Sequence, residues 1–277
     1  MTFRLGLTAL LAATLMLGMP LDAAHGQMKR ELKGGRSGGP SEGGGRGGLS
    51  ERMQNKTIAP TGLYPAFPAG QECPPISSPF GSNTRYDGSE RPAVVNGGRH
   101  GGMDVTLVPG TPLLAMADGE IVHKGEGGQM EGIYLWIRHA PQDTGFPFWV
   151  FSKYQHLQRL PDLPVGSRVT AGQAIAIGGD TGTEDGHFGS EGYAHLHVSS
   201  FFGPSANFEL MGTAGSMVKA EAAVTGDPMA LYLDDLPNPD AVPALPDVPR
   251  AVPVGIVDRN GNVLPSGSRK VWPLACH

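Results

Sequence analysis

Tyr193-Ala194-His195-Leu196-His197-Val198 alternates in a way that, on a β-strand, puts His195 and His197 on one face and Leu196 and Val198 on the other. Two imidazoles side by side on a strand face are a metal-ligand geometry. An isolated His-x-His is also what the wet face of an amphipathic strand carries, so the pair needs partners elsewhere. Upstream, His100-Gly101-Gly102-Met103-Asp104 offers an imidazole and a carboxylate, with two glycines that let the backbone between them bend. Tyr154-Gln155-His156-Leu157 offers a further imidazole. Zinc in hydrolytic enzymes typically takes three nitrogen or oxygen ligands and keeps a fourth position for water. His100, Asp104 and one or both of His195 and His197 make up such a set.

Working outward from that strand, the pattern is one of short extended runs. Residues 111–122 alternate through Leu113, Ala115 and Ala117, with Asp118-Gly119 reading as a hairpin turn. Residues 134–139 put Leu135, Ile137 and His139 on one side and Tyr134, Trp136 and Arg138 on the other. Further runs follow at 148–156, 168–170, 174–178 and 198–202, and 228–233 reads as a short helical turn. Such spacing predicts a mostly β, antiparallel domain. Prolines recur over 237–253, which predicts an extended strap rather than a second domain. Asn260-Gly261 between apolar runs predicts a terminal β-hairpin.

The 277 residues include 42 Gly and 25 Pro and carry a net charge of −5, so no global attraction to nucleic acid is expected. Residues 1–26 have the charged start, apolar stretch and small residues of a secretory signal, which predicts export and no stable membrane insertion after cleavage. Residues 27–57 are rich in Gly, Ser and Arg and cannot bury a core, so they read as a flexible linker. Cys73 and Cys276 are the two cysteines. In an oxidising compartment a bridge and two separate thiols both remain open, and a bridge would constrain the unfolded chain by about 4–5 kcal/mol.

Taken together, Ser78-Pro79-Phe80-Gly81, His100-Gly101-Gly102-Met103-Asp104, Gly110-Thr111-Pro112 with Ala117-Asp118-Gly119, Tyr154-Gln155-His156-Leu157, Ala171-Gly172-Gln173, Thr181-Gly182 and His195-Leu196-His197 resemble the LytM/lysostaphin-type zinc metallopeptidases, peptidase family M23. The resemblance covers 76–202. It implies an antiparallel, sandwich-like catalytic domain of the duplicated-hybrid-motif type over 58–236, with long loops and the Pro-rich extension 237–277. It implies one Zn2+ held by His100, Asp104 and His197, with His156 and His195 as the catalytic pair. It further implies an endopeptidase acting on peptidoglycan peptide crosslinks in the periplasm or outside the cell. No His-Glu-x-x-His helix is present, so imidazole is the natural base at neutral pH.

His139 reads as structural or as supporting the site from behind. His123 and His187 read as incidental. Phe146, Phe148, Trp149 and Phe151 either wall a substrate groove or simply pack. Two non-catalytic readings stand beside the peptidase: a regulator of another cell-wall hydrolase, and an envelope-polymer binding module using the basic linker and the aromatic hairpin.

Overall fold

The computed structural model describes residues 58–128, 130–183, 193–212 and 217–277. Residues 1–57, which the sequence reads as signal and linker, and His187 lie outside the described residues. In chain order the strands are β1 (Leu63–Ala66), β2 (Ile76–Ser78), β3 (Met103–Thr106), β4 (Pro112–Leu114), β5 (Gly119–Glu126), β6 (Ile133–His139), β7 (Trp149–Leu157) and β8 (Arg168–Val169). They continue with β9 (Ala174–Ile177), β10 (His195–Gly203), β11 (Phe208–Met211), β12 (Met217–Ala220), β13 (Val224–Gly226), β14 (Arg250–Pro253), β15 (Ile256–Val257) and β16 (Val263–Leu264). Among the described residues helical structure is confined to short segments of three to six residues, including Pro228–Tyr232. The protein is mostly β, and the main sheet runs β2-β3-β10-β7-β6-β5-β8, with β13 also on β10. Every pairing in it is antiparallel.

Strand alternation divides this sheet into two faces. Leu196, Val198, Phe202, Met103, Val105, Tyr154, Leu135 and Ile137 point into the principal core, which they share with Leu113 and Ile175. The opposite face carries His195 and His197 at one end of β10. At the other end Tyr134, Trp136 and Phe151 pack with Phe201, beneath Val218 and Ala220 of the β11–β12 hairpin. Half of that face is roofed by the hairpin, and half stays open as a groove of about 420 Å³.

Asp118-Gly119 does not turn a hairpin. β4 pairs with β9 in a small separate sheet while β5 pairs with β6, so the dipeptide is a corner between two sheets. Asp118 accepts the Ala171 backbone N–H at 2.7 Å, and a Cβ at Gly119 would lie 2.5 Å from Ile137 Cγ2. The glycine is there for close approach to β6, a signal that local sequence shares with true hairpin turns.

The Pro-rich tail does more than cross the surface. Val252, Val254, Ile256, Trp272 and Leu274 are buried in the principal core. β14 pairs in parallel with β1, and β15 and β16 form the hairpin around Asn260-Gly261. Trp272 Nε1 donates to the Pro74 carbonyl at 3.2 Å, and Tyr232 OH to the Val271 carbonyl at 2.9 Å. Cys73 and Cys276 are joined in a disulfide spanning 203 residues, flanked by reciprocal backbone hydrogen bonds between Glu72 and His277. By loop-closure entropy the bridge contributes about 5 kcal/mol at most.

Asp227 ties this region to the N-terminal strand. Its Oδ1 caps the turn after it by accepting from Met229 N–H at 2.9 Å, and its Oδ2 accepts from the Thr61 hydroxyl. Burial pushes the carboxyl up to about 6, outweighing these hydrogen bonds. A carboxyl whose pKa is raised on folding stabilises the folded state below its unfolded pKa and loses that contribution as pH rises through its folded pKa. Asp227→Asn keeps an acceptor for the cap but cannot ionise. Between about pH 4.5 and 7.5 the variant should therefore gain on the wild type by about 2 kcal/mol in denaturant melts. A stability difference independent of pH would contradict this account.

Candidate metal centre and active site

The register between β3 and β10 sets Asp104 directly across from His197 and Thr106 across from His195. Cross-strand neighbours share a face, and His197 Nδ1 comes within 2.8 Å of Asp104 Oδ1. His100 enters from the connection ahead of β3 and is held by backbone hydrogen bonds, Gly81 N–H to the His100 carbonyl and His100 N–H to the Ser82 carbonyl, both 2.9 Å. Its Nε2 lies 3.2 Å from Asp104 Oδ1 and 3.1 Å from His197 Nδ1. The reason for Gly102 is steric as well as conformational: a Cβ there would sit 2.2 Å from the Val198 carbonyl oxygen and 2.6 Å from His197 Nε2.

The partners of each ring fix its tautomer. A carbonyl can only accept, so His100 Nδ1–H donates to Pro79 (3.1 Å), His156 Nδ1–H to Thr181 (2.8 Å) and His195 Nδ1–H to Tyr193 (2.7 Å). In each, Nε2 is the ring nitrogen left for other partners. His197 is turned the other way: a carboxylate can only accept, so Nδ1–H donates to Asp104 Oδ1 at 2.8 Å and Nε2 accepts from the Ser199 hydroxyl at 3.0 Å. Burial pushes His197 down to about 4, against the pull of Asp104. Burial would raise Asp104, but His100 and His195 outweigh it and hold the carboxyl well below its usual range. Two imidazole nitrogens, His100 Nε2 and His197 Nδ1, and one carboxylate oxygen thus face one another. Among the described residues, His100, Asp104 and His197 form a metal-capable cluster whose ligand atoms all lie within 4.8 Å of one another. Two imidazole nitrogens 3.1 Å apart beside a carboxylate oxygen are the nitrogen and oxygen donors that zinc prefers, and a bound cation would take the place of the proton that His197 Nδ1 shares with Asp104.

His156 reaches the same face by a different route. Alternation along β7 would send it to the core with Tyr154. Between Ile133 and Leu135 of β6, however, β7 carries one extra residue, and His156 adopts φ 63°. A bulge with a left-handed residue re-aims the side chain, so the ring stands 4.5 Å from that of His195. Thr181 then fixes it: the hydroxyl bridges β6 and β7 by accepting from Ile133 N–H at 2.9 Å and donating to the Leu157 carbonyl at 2.6 Å. Burial pushes His156 down to about 3, with His195 and His197 adding to the effect, so it is neutral at pH 7.

All five residues singled out in the sequence are thus brought together on one face, at the end of β10 that the β11–β12 hairpin leaves open. The model of peptidase family M23 matches residues 98–202, the segment that carries them. Residues 98–202 belong to peptidase family M23. Among relatives of this M23 segment, a Haemophilus influenzae protein described as an uncharacterized metalloprotease is 30% identical over 152 residues, 53% of this chain and 27% of that protein. The glycyl-glycine endopeptidase ALE-1 of Staphylococcus capitis is 37% identical over 91 residues, 33% of this chain and 23% of that protein. The chain therefore spans about a quarter of the length of these curated relatives. The catalytic domain of the antimicrobial peptidase lysostaphin from Staphylococcus simulans is 26% identical with a TM-score of 0.33, covering 47% of this chain and 80% of that one. A zinc-containing peptidase from Vibrio cholerae is 25% identical with a TM-score of 0.35, covering 50% of this chain and 36% of that one.

Around the M23 centre the structure settles several side questions. His139 is buried beyond the groove, with Nδ1 donating to the Asp118 carbonyl at 2.7 Å and Nε2 on the Ser152 hydroxyl at 3.1 Å, so it is structural. His123 pairs with Tyr134 OH at 3.0 Å. The aromatic segment packs rather than walls the groove: Phe146 stacks on Phe148 in the core, Phe151 is buried in the second cluster, and Trp149 lies under Arg138. Trp136 and Phe201 line the groove instead. Sequence reasoning missed Arg91, whose Nη2 contacts Ser78 Oγ at 2.9 Å and Asp104 Oδ2 at 3.5 Å, and the buried Lys153–Glu131 ion pair. No local motif marks either.

Proposed function

We propose that this chain is an exported zinc-dependent endopeptidase that hydrolyses peptide crosslinks of peptidoglycan. One observation carries the reading: three possible ligand atoms, on His100, Asp104 and His197, converge beside the His156–His195 pair at the end of an open groove. His100, Asp104 and His197 would hold the metal, leaving a position for water. Bound zinc supplies Lewis acidity, which makes water a nucleophile at neutral pH and polarises a carbonyl. His156 and His195, each with Nδ1 tied to a backbone carbonyl, offer Nε2 to take a proton from the attacking water and return it to the leaving amine. Once protonated, the same nitrogens donate to the developing oxyanion of the substrate. Thr181 and Tyr193 hold the rings so that this costs little reorganisation.

Export and the envelope location rest on the N-terminal segment. Among the described residues no helix is long and apolar enough to cross a membrane. The name of one relative, a glycyl-glycine endopeptidase, supports a peptide substrate. The test is direct: purified protein stripped with a chelator should release no peptides from sacculi, and one equivalent of zinc should restore release. Full activity in the metal-free protein would refute the reading, as would zinc-replete protein that leaves sacculi intact.

A further inference from the structure

The connection between β2 and β3 contributes three arginines, Arg85, Arg91 and Arg99, to the lining of the groove, and Lys153 lines it from β7. Among the described lining residues the one carboxylate is Asp104, already committed to the metal centre. Lys153 is matched by Glu131, whereas among the described residues Arg85 and Arg99 form no salt bridge, although Asp87 lies close enough for the Arg85 charge to act on it. Arg85 donates to the Ser89 hydroxyl and the Glu90 carbonyl at 3.0 and 2.8 Å, and Arg99 to the Gly81 carbonyl at 3.1 Å. Neutral acceptors leave the Arg99 charge in place, and the Arg85 charge is offset in part by Asp87, which lies outside the lining. The carboxylates of Asp87 and Glu90, on the same connection, are not part of the lining. A cationic groove on a chain of net charge −5 is a local construction, not a background property.

We propose that the groove selects peptides bearing free carboxylates next to the scissile bond, with Arg85 and Arg99 as the selecting residues and Arg91 beside them at the metal centre. The inference rests on the peptidase reading and narrows its substrate class. A guanidinium fork matches a carboxylate in shape as well as charge, and an uncharged bridge peptide would gain nothing from it. Steering by such a groove acts mainly on the encounter rate and weakens with salt.

The test uses the zinc-loaded full chain and a fluorescently labelled peptidoglycan crosslink peptide, in its free-carboxylate form and after carbodiimide amidation. Both cleavage and binding by anisotropy are followed. The free-acid form should be preferred by about 10-fold or more at about 50 mM salt, and the preference should shrink by about 500 mM. Arg85→Gln with Arg99→Gln should bring the ratio toward one. Equal handling of the two forms by the wild type, or a preference indifferent to both salt and the double substitution, overturns this inference while cleavage still upholds the peptidase. Charge-selective binding without cleavage upholds the groove and overturns the peptidase instead.

Discussion

Replacing His156 should leave zinc bound and slow peptide release by about 10²–10⁴-fold, the usual contribution of a positioned acid–base group. The residue lies outside the three-donor cluster, and its Nδ1 is occupied by the Thr181 carbonyl, so metal retention does not depend on it. The choice of substitute matters. His156 sits at φ 63°, where alanine is strained but asparagine is tolerated. His156→Asn is therefore the cleaner variant, and His156→Ala carries a backbone penalty on top of the chemical one. Zinc content by atomic absorption and turnover on sacculi separate the two effects. Normal turnover in His156→Asn would remove this residue from the mechanism.

His197→Ala should fail differently, by losing the metal. It takes one of three donors from the cluster and leaves Asp104 Oδ1 without its shortest contact, 2.8 Å. Because losing even an outer hydrogen-bond partner of a metal ligand costs about 10–100-fold in affinity, losing a ligand should cost more than about 100-fold. Zinc should dialyse away, and activity with it. Added zinc should not restore activity at concentrations that saturate the wild type. A stoichiometric zinc signal in the dialysed variant would mean that the ion lies elsewhere. The contrast between the variants is the point: one keeps zinc without turnover, the other keeps neither.

How much of this was legible in the sequence varies with the range over which each feature is decided. His195 and His197 were readable because strand periodicity is local and β10 obeys it. The division of β6 into Leu135 and Ile137 against Tyr134 and Trp136 was readable for the same reason, and both sides are buried in different clusters. His156 was found through its motif alone. Its periodicity points to the wrong face, and a bulge, which depends on the partner strand, corrects it. Asp118-Gly119 misled because tight turns and close sheet contacts both demand the same residues. The Ser78-Pro79-Phe80-Gly81 segment was noticed without a role, and its Pro79 carbonyl proves to orient His100. Arg91 and Lys153 were invisible because their partners come from distant parts of the chain.

The disulfide and the buried tail change what counts as a usable unit. Cutting the chain at Phe202, where the family match ends, would discard Trp272, Leu274 and the Met229–Leu233 turn, and with them one wall of the interior under the principal sheet. The hydrolytic apparatus is therefore not portable as a short cassette. Anyone grafting it into a chimaera would have to carry the C-terminal quarter along, together with the oxidising conditions that seal Cys73 to Cys276.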